Sequence, residues 1–202
     1  MAIVQKNQII FRFIKPTCYT KYAFLDEHMD KLKRGHGILI AQLDEFGDKL
    51  VAIPLRSKLN PKFKDKKIRY IVPFETYEFD GAEFLKGLDI SKLLLVDEAD
   101  VDLVSNFDLD GREKEYYLEN KNKIFTRTVN YINSYVKYCN THEALIKEIL
   151  SNEKKEYSEL PKGLQRFILN YQYSTLRNYH SDFGIDVLSI QEIRDFMKLY
   201  SL

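Results

Sequence analysis

The stretch GILIAQLDEFGDKLVAIPL, residues 37–55, decides the fold. Two apolar runs, Gly37–Leu43 and Lys49–Leu55, flank the tight turn Glu45-Phe46-Gly47-Asp48, which is the pattern of a β-hairpin whose first strand is buried. Pairing across that turn sets opposite one another residues whose numbers add to about 92. Carried further, the same register brings Lys33–Gly37 opposite Leu55–Leu59.

On the N-terminal side, Ile9–Ile14 alternates around Arg12 and stops before Pro16, as a first strand does. Cys18–Leu32 spaces Tyr22, Leu25, Met29 and Leu32 as a helix would. On the C-terminal side, Ile68–Pro73, Leu93–Val96 and Ala99–Leu103 read as strands, with Gly81–Gly87 as a loop. From Glu113 onward the pattern is helical: Glu113–Cys139, Glu143–Leu150, Gly163–Tyr179 and Ser189–Leu202, with Ser189 an N-cap and Glu192 three residues on. Strands first and helices later argue for an α+β fold with an antiparallel sheet and a helical C-terminal half, in a single domain over residues 1–202.

Composition limits the function. The chain is 45% hydrophobic and 30% charged, which suits a globular domain and not a disordered one. No apolar run approaches the ~18–20 residues that span a bilayer, so no membrane role is expected. The opening MAIVQKNQIIFRFIK lacks the pattern of a secretory signal. Cys18 and Cys139 stand too far apart for a zinc spacing and make no disulfide framework, so a reduced, cytoplasmic protein is expected.

The net charge of +1 conceals segregation. Between Pro54 and Tyr70 there are seven cations against Asp65 alone, whereas Glu75–Glu119 holds fourteen carboxylates against four cations. A basic block beside an acidic one points to an anion-binding face kept apart from the acids, or to a solvated charged loop.

The acidic stretch offers decoys. Asn106–Gly111 imitates the start of a calcium loop, but Tyr117 occupies the twelfth position, where a carboxylate is needed; a polar turn before the long helix is the simpler reading. Asp97, Glu98, Asp100 and Asp102 suit a two-metal nuclease site, and equally a solvated strand edge. His28, His142 and His180 lie in helical segments without ligand spacing and read as surface or capping residues. No metal or cofactor is expected.

The residues brought together by the hairpin are more informative. Lys33, Arg34 and His36 lie beside Gly35 and Gly37, which let backbone approach a phosphate closely. Opposite them stand Arg56, Ser57 and Lys58. Cations for phosphorane charge, a hydroxyl for a phosphate oxygen and an imidazole for proton transfer make up a metal-free ribonuclease site; a plain anion-binding patch uses the same groups. The cations beside His36 disfavour its imidazolium and suit it as a base.

With these residues in view, the chain resembles the ToxN/AbiQ family, the endoribonuclease toxins of type III toxin–antitoxin and phage abortive-infection systems. FRFIKPTCYTKYAFL (residues 11–25) is similar to the family's first strand and Tyr-rich helix. Lys33 stands four residues before Gly37-Ile38, as the family's active-site lysine does, and Pro54-Leu55-x-Ser57 matches its Pro-Leu-[Ser/Thr]-Ser. Gly87–Lys92 with LLLVDEADV, the helix Tyr117–Tyr138 and the segment Tyr173–Phe183 are similar to later parts of the family pattern. Leu59 and Met29 replace a lysine and a tyrosine of that pattern, Arg56 replaces a hydroxyl residue, and the chain after Phe183 has no counterpart.

The resemblance implies a compact, partly barrel-like antiparallel sheet wrapped by helices. It implies metal-independent cleavage of mRNA to 2′,3′-cyclic phosphate and 5′-hydroxyl ends, with inhibition by a small repeated RNA antitoxin in closed rings of toxin and RNA. Ser57 would then hold the phosphate, with Lys33 and either Arg56 or Lys58 stabilising its charge. The block Lys62, Lys64, Lys66, Lys67 and Arg69 suits a groove that follows the RNA backbone, with Phe63 and Tyr70 placed to stack bases. An RNA-binding regulator without chemistry, and a metal-dependent nuclease using Asp97–Asp102, are the other readings.

Overall fold

The computed structural model describes residues 4–21, 38–46, 48–65, 70–107, 109–152 and 155–200. Their contacts divide into two units, Met1–Tyr131 and Ile132–Leu202.

The first unit carries an antiparallel sheet built around the expected hairpin. Strands β1 (Ile9–Ile14), β2 (Ile38–Gln42) and β3 (Leu50–Leu59) are followed by β4 (Ile71–Phe79), β5 (Ala82–Asp89), β6 (Leu94–Val96) and β7 (Val101–Asn106). The order is β4-β5-β3-β2-β1-β7, with β6 also on β3, and the sheet is open. Every β2–β3 pair, from Ile38 with Pro54 to Gln42 with Leu50, adds to 92, as the hairpin register requires.

Both faces of the central strands are covered, which explains their unbroken apolar sequence. Ile10, Ile40, Ala52 and Leu94 form one row across four strands and share a core with Ile14 and with Cys18 of helix α1 (Pro16–Lys21). On the other face, Phe11 meets the ring of Tyr117 in helix α3 (Gly111–Glu119), and Tyr117 is fully buried. Each side chain as deeply buried as Leu39 or Ile40 contributes about 1.5–3 kcal/mol.

Strand β3 changes partner along its length. Leu50–Ala52 pair with β6, while Leu55, Arg56 and Leu59 pair with β5. Pro54, which has no N–H for a ladder, stands between the two pairings.

The loop expected at Gly81–Gly87 is instead strand β5. Asp80 and Gly81, with φ of 52° and 72°, form a two-residue turn of type I′, so β4 and β5 make a second hairpin. Strand β4 also runs on to Phe79, well past the expected Pro73. The expected strand Ala99–Leu103 is shifted: Glu98–Asp100 form a 3₁₀ turn and β7 runs to Asn106. The part of the Cys18–Leu32 helix beyond Lys21 lies outside the described residues.

The expected helix Glu113–Cys139 breaks at Asn120, which caps α3, and helix α4 (Lys121–Ser151) joins its remainder to the expected Glu143–Leu150; through Tyr131 it belongs to the first unit. There Arg127 donates to Ile71 O at 3.0 Å, and Tyr116 of α3 donates to Pro73 O at 2.8 Å, fixing both helices to β4.

In the second unit the remainder of α4 packs against α5 (Lys162–Tyr171) through Tyr135, Phe167 and Tyr171, and α6 (Ile190–Leu199) meets the segment after α5, where Arg194 donates to Asn178 Oδ1 at 3.5 Å. Helix α5 stops short of the expected Tyr179 because Ser174 caps a separate 3₁₀ turn, Thr175–Asn178. Ser189 and Glu192 form the expected capping box. His180 is buried rather than a surface residue: its Nε2 lies 2.7 Å from Tyr135 OH and its Nδ1 2.7 Å from Leu188 O.

Two outcomes follow. Gly87 lies so close to β4 that an added Cβ would stand 2.6 Å from Val72 O. Gly87→Ala is expected to cost about 2 kcal/mol in urea denaturation, as overpacking does. Burial lowers the pKa of His180, so the folded state resists its protonation. Stability is therefore full above the unfolded value of about 6.5 and falls below it, by up to ~1.4 kcal/mol per pH unit; urea melts at pH 7.5 and 5.5 on wild type and His180→Gln measure this share.

Candidate anion site at the strand bulge

The residues expected to carry chemistry at 56–58 fall where β3 is irregular. Arg56 pairs with Gly87 and Leu59 with Leu85, so Ser57 and Lys58 together stand opposite Lys86. On the other side of β5, Pro73 pairs with Gly87 and Thr76 with Leu85, so Phe74 and Glu75 also stand opposite Lys86. Two bulges thus flank one residue, and bulges re-aim side chains at sheet edges and sites.

Ser57 and Lys58 are exposed. The backbone of Ser57 is held by Tyr77, whose OH donates to Ser57 O at 2.7 Å. Lys58 Nζ lies 5.0 Å from the ring centroid of Phe79 and 5.5 Å from that of Phe84. Lys86 pairs with Glu75 at 3.3 Å and lies over the ring of Tyr77.

Arg56 has a different duty. Its Nη1 donates to Asp89 Oδ2 at 2.8 Å, reaching past Gly87, where no side chain intervenes. The Asp89 carboxylate is almost fully buried and also accepts from Ser91 N at 3.2 Å and Ser91 Oγ at 2.5 Å. Arg56 is therefore committed to the fold, and Lys58 is the cation presented beside Ser57.

The basic block divides between surface and core. Lys62 and Lys64 are exposed on the short helix α2 (Lys62–Asp65). Phe63 and Tyr70, expected to stack bases, pack against Leu59, Ile71 and Leu85, and Tyr70 also meets Tyr131. Burial, with the nearby Asp89, raises the Tyr70 pKa. Lys33, Arg34, His36, Lys66, Lys67 and Arg69 lie outside the described residues.

The acidic decoys serve local structure. Asp97 pairs with Lys49 at 2.6 Å and its N–H donates to Asp100 Oδ2. Asp102 accepts from Ser105 and from Val104 N, and these hydrogen bonds, those from Ser105 foremost, hold its carboxyl below the usual range. Asp110 caps α3 by accepting from Arg112 N and Glu113 N, which is the polar turn expected there. Among the described residues, no three His, Cys, Asp or Glu side chains are grouped to hold a metal.

Residues that the sequence reading missed are Tyr77, Phe79 and Phe84. The Asp80-Gly81 dipeptide, a strong hairpin signal, would have found them. No family model, curated protein or solved structure matches the chain.

Arg56→Ala is expected to cost about 3 kcal/mol in urea denaturation, because it strands a buried carboxylate. Ser57→Ala, at an exposed bulge, should change stability by no more than about 0.5 kcal/mol.

Proposed function

We propose that this chain is a metal-independent endoribonuclease, the toxin of a type III toxin–antitoxin system, held in check by a small repeated RNA. One observation carries the reading: the β3 bulge exposes two consecutive residues, Ser57 and Lys58, with the Lys58 ammonium over the exposed ring of Phe79 and the part-covered ring of Phe84. The resemblance of 11–25, Lys33–Ile38 and Pro54–Ser57 to the ToxN/AbiQ family supports it from the sequence. No described helix is long and apolar enough to cross a membrane. A cytoplasmic site of action and ring assemblies with the antitoxin RNA belong to the same proposal.

In the reaction, the RNA 2′-hydroxyl attacks the adjacent phosphorus and loses its proton to a base, a role assigned to His36 or Lys33. The bond to the 5′-oxygen breaks, that oxygen takes a proton, and a 2′,3′-cyclic phosphate remains. Ser57 donates to a non-bridging oxygen, and Lys58 stabilises the charge gathered on the phosphorane. A preorganised donor of this kind is worth about 10²–10³ in rate.

Incubation of the purified protein with RNA in EDTA tests the reading. Cleavage to cyclic-phosphate ends should persist in wild type and fall about 10²–10³-fold in Ser57→Ala and in Lys58→Gln. Loss of cleavage in EDTA would favour the metal-dependent reading, and binding without cleavage under any condition would favour a regulator.

A further inference from the structure

The β4–β5 hairpin has two unlike faces. Tyr77 is paired with Phe84 and their rings lie 6.1 Å apart; Phe79, two residues along, is on the same side and 56% exposed. Lys58 from β3 completes this side, its ammonium over both phenylalanine rings. Alternation sends Glu78 to the opposite side, where it faces Glu83 across the ladder. Glu75, at the base of the aromatic side, is neutralised by Lys86 at 3.3 Å and Arg112 at 3.5 Å.

Exposed Phe79 and the part-covered rings of Tyr77 and Phe84 are contiguous, so they form an aromatic patch and not an isolated surface residue. The chemistry of a cover for the patch is set by what surrounds it. The aromatic faces suit the face of a base, and the exposed ammonium of Lys58 suits the phosphate joined to that base. Of the carboxylates along the two strands, Glu78 and Glu83 are on the back and Glu75 is paired, while Asp80 stands in the turn itself. Duplex nucleic acid buries its base faces, so the ligand must be single-stranded.

We infer that Phe79 and Phe84, with Tyr77 and Lys58, form a stacking platform for unpaired bases of single-stranded RNA, set beside Ser57. The inference rests on the reading of this region as an RNA site, and it deepens that reading. Tyr77 ties the platform to the site, since its OH donates to Ser57 O. A base stacked on Phe84 and Phe79 would fix where along the strand a phosphate meets the bulge. The platform thus sets affinity for single strands and the register of cutting.

The test uses the full chain and a 2′-O-methyl oligoribonucleotide carrying 2-aminopurine, which cannot be cleaved because the attacking hydroxyl is blocked. Wild type should bind it and quench its fluorescence through stacking, and should bind the annealed duplex at least tenfold more weakly. Phe79→Ala should weaken single-strand binding about tenfold and lose the quench, while Phe79→Tyr should retain both. Thermal melts confirm that each variant is folded. Equal affinity for the duplex, or a Phe79→Ala affinity within twofold of wild type, overturns the platform. So does a Phe79→Ala effect confined to self-association in sedimentation, which would assign the patch to a second copy of the chain. Because binding is read without cleavage, failure of the nuclease reading leaves this result standing, and failure of the platform leaves EDTA-resistant cleavage standing.

Discussion

The buried carboxylate of Asp89 governs how strands share β3. A charge taken out of water must be met by donors, and here three converge on it: the Arg56 guanidinium from β3, and the N–H and hydroxyl of Ser91 from the turn after β5. One side chain therefore clamps the end of β5, the turn that follows and the middle of β3. With that junction held, β5 and β6 lie end to end along the same edge of β3, and Pro54 occupies the gap where no N–H is needed. The arrangement has little slack, since moving any of the three segments leaves a charge unmet.

A clamp at one end of a strand pair allows irregularity further along. Beyond Gly87 the ladder slips by one residue on both sides of β5, and each slip faces Lys86. An extra residue in both neighbours increases local twist and turns side chains outward. Hence Ser57 and Lys58, continuous with a well-paired strand, are nevertheless exposed. Gly87 belongs to the same device: without a side chain it lets β4 approach and leaves room for Arg56 to cross toward Asp89. The site is thus a by-product of strand geometry that buried chemistry holds in place.

Much of this was legible in the amino-acid sequence, and the limits have physical causes. The hairpin 37–55 and its register could be read because a buried strand is apolar throughout and a turn sets the pairing. Ser189 and Glu192 declared the last helix for a similarly local reason. Strand β5 was hidden because Ala82–Gly87 mixes a glycine, a glutamate and a lysine with its apolar residues, and its burial comes only from neighbours brought in by the fold. The packing of Phe63 and Tyr70 was hidden for the converse reason: cations beside them suggested a surface, yet each is also partly buried against Leu59, Ile71 and Leu85. That Arg56 would be claimed by Asp89, and His180 by Tyr135 and Leu188, depends on tertiary proximity that no local pattern encodes.

The aromatic platform and the bulge are drawn from one contiguous stretch, Leu55–Asp89, in which β4 and β5 join through a two-residue turn and β5 returns directly to β3. Contacts of short sequence separation close at small entropic cost, whereas joining β1 to β7 requires bringing Arg12 to Asn106. During synthesis, Leu55–Asp89 is thus able to assemble before the distant β1–β7 pairing that completes the sheet.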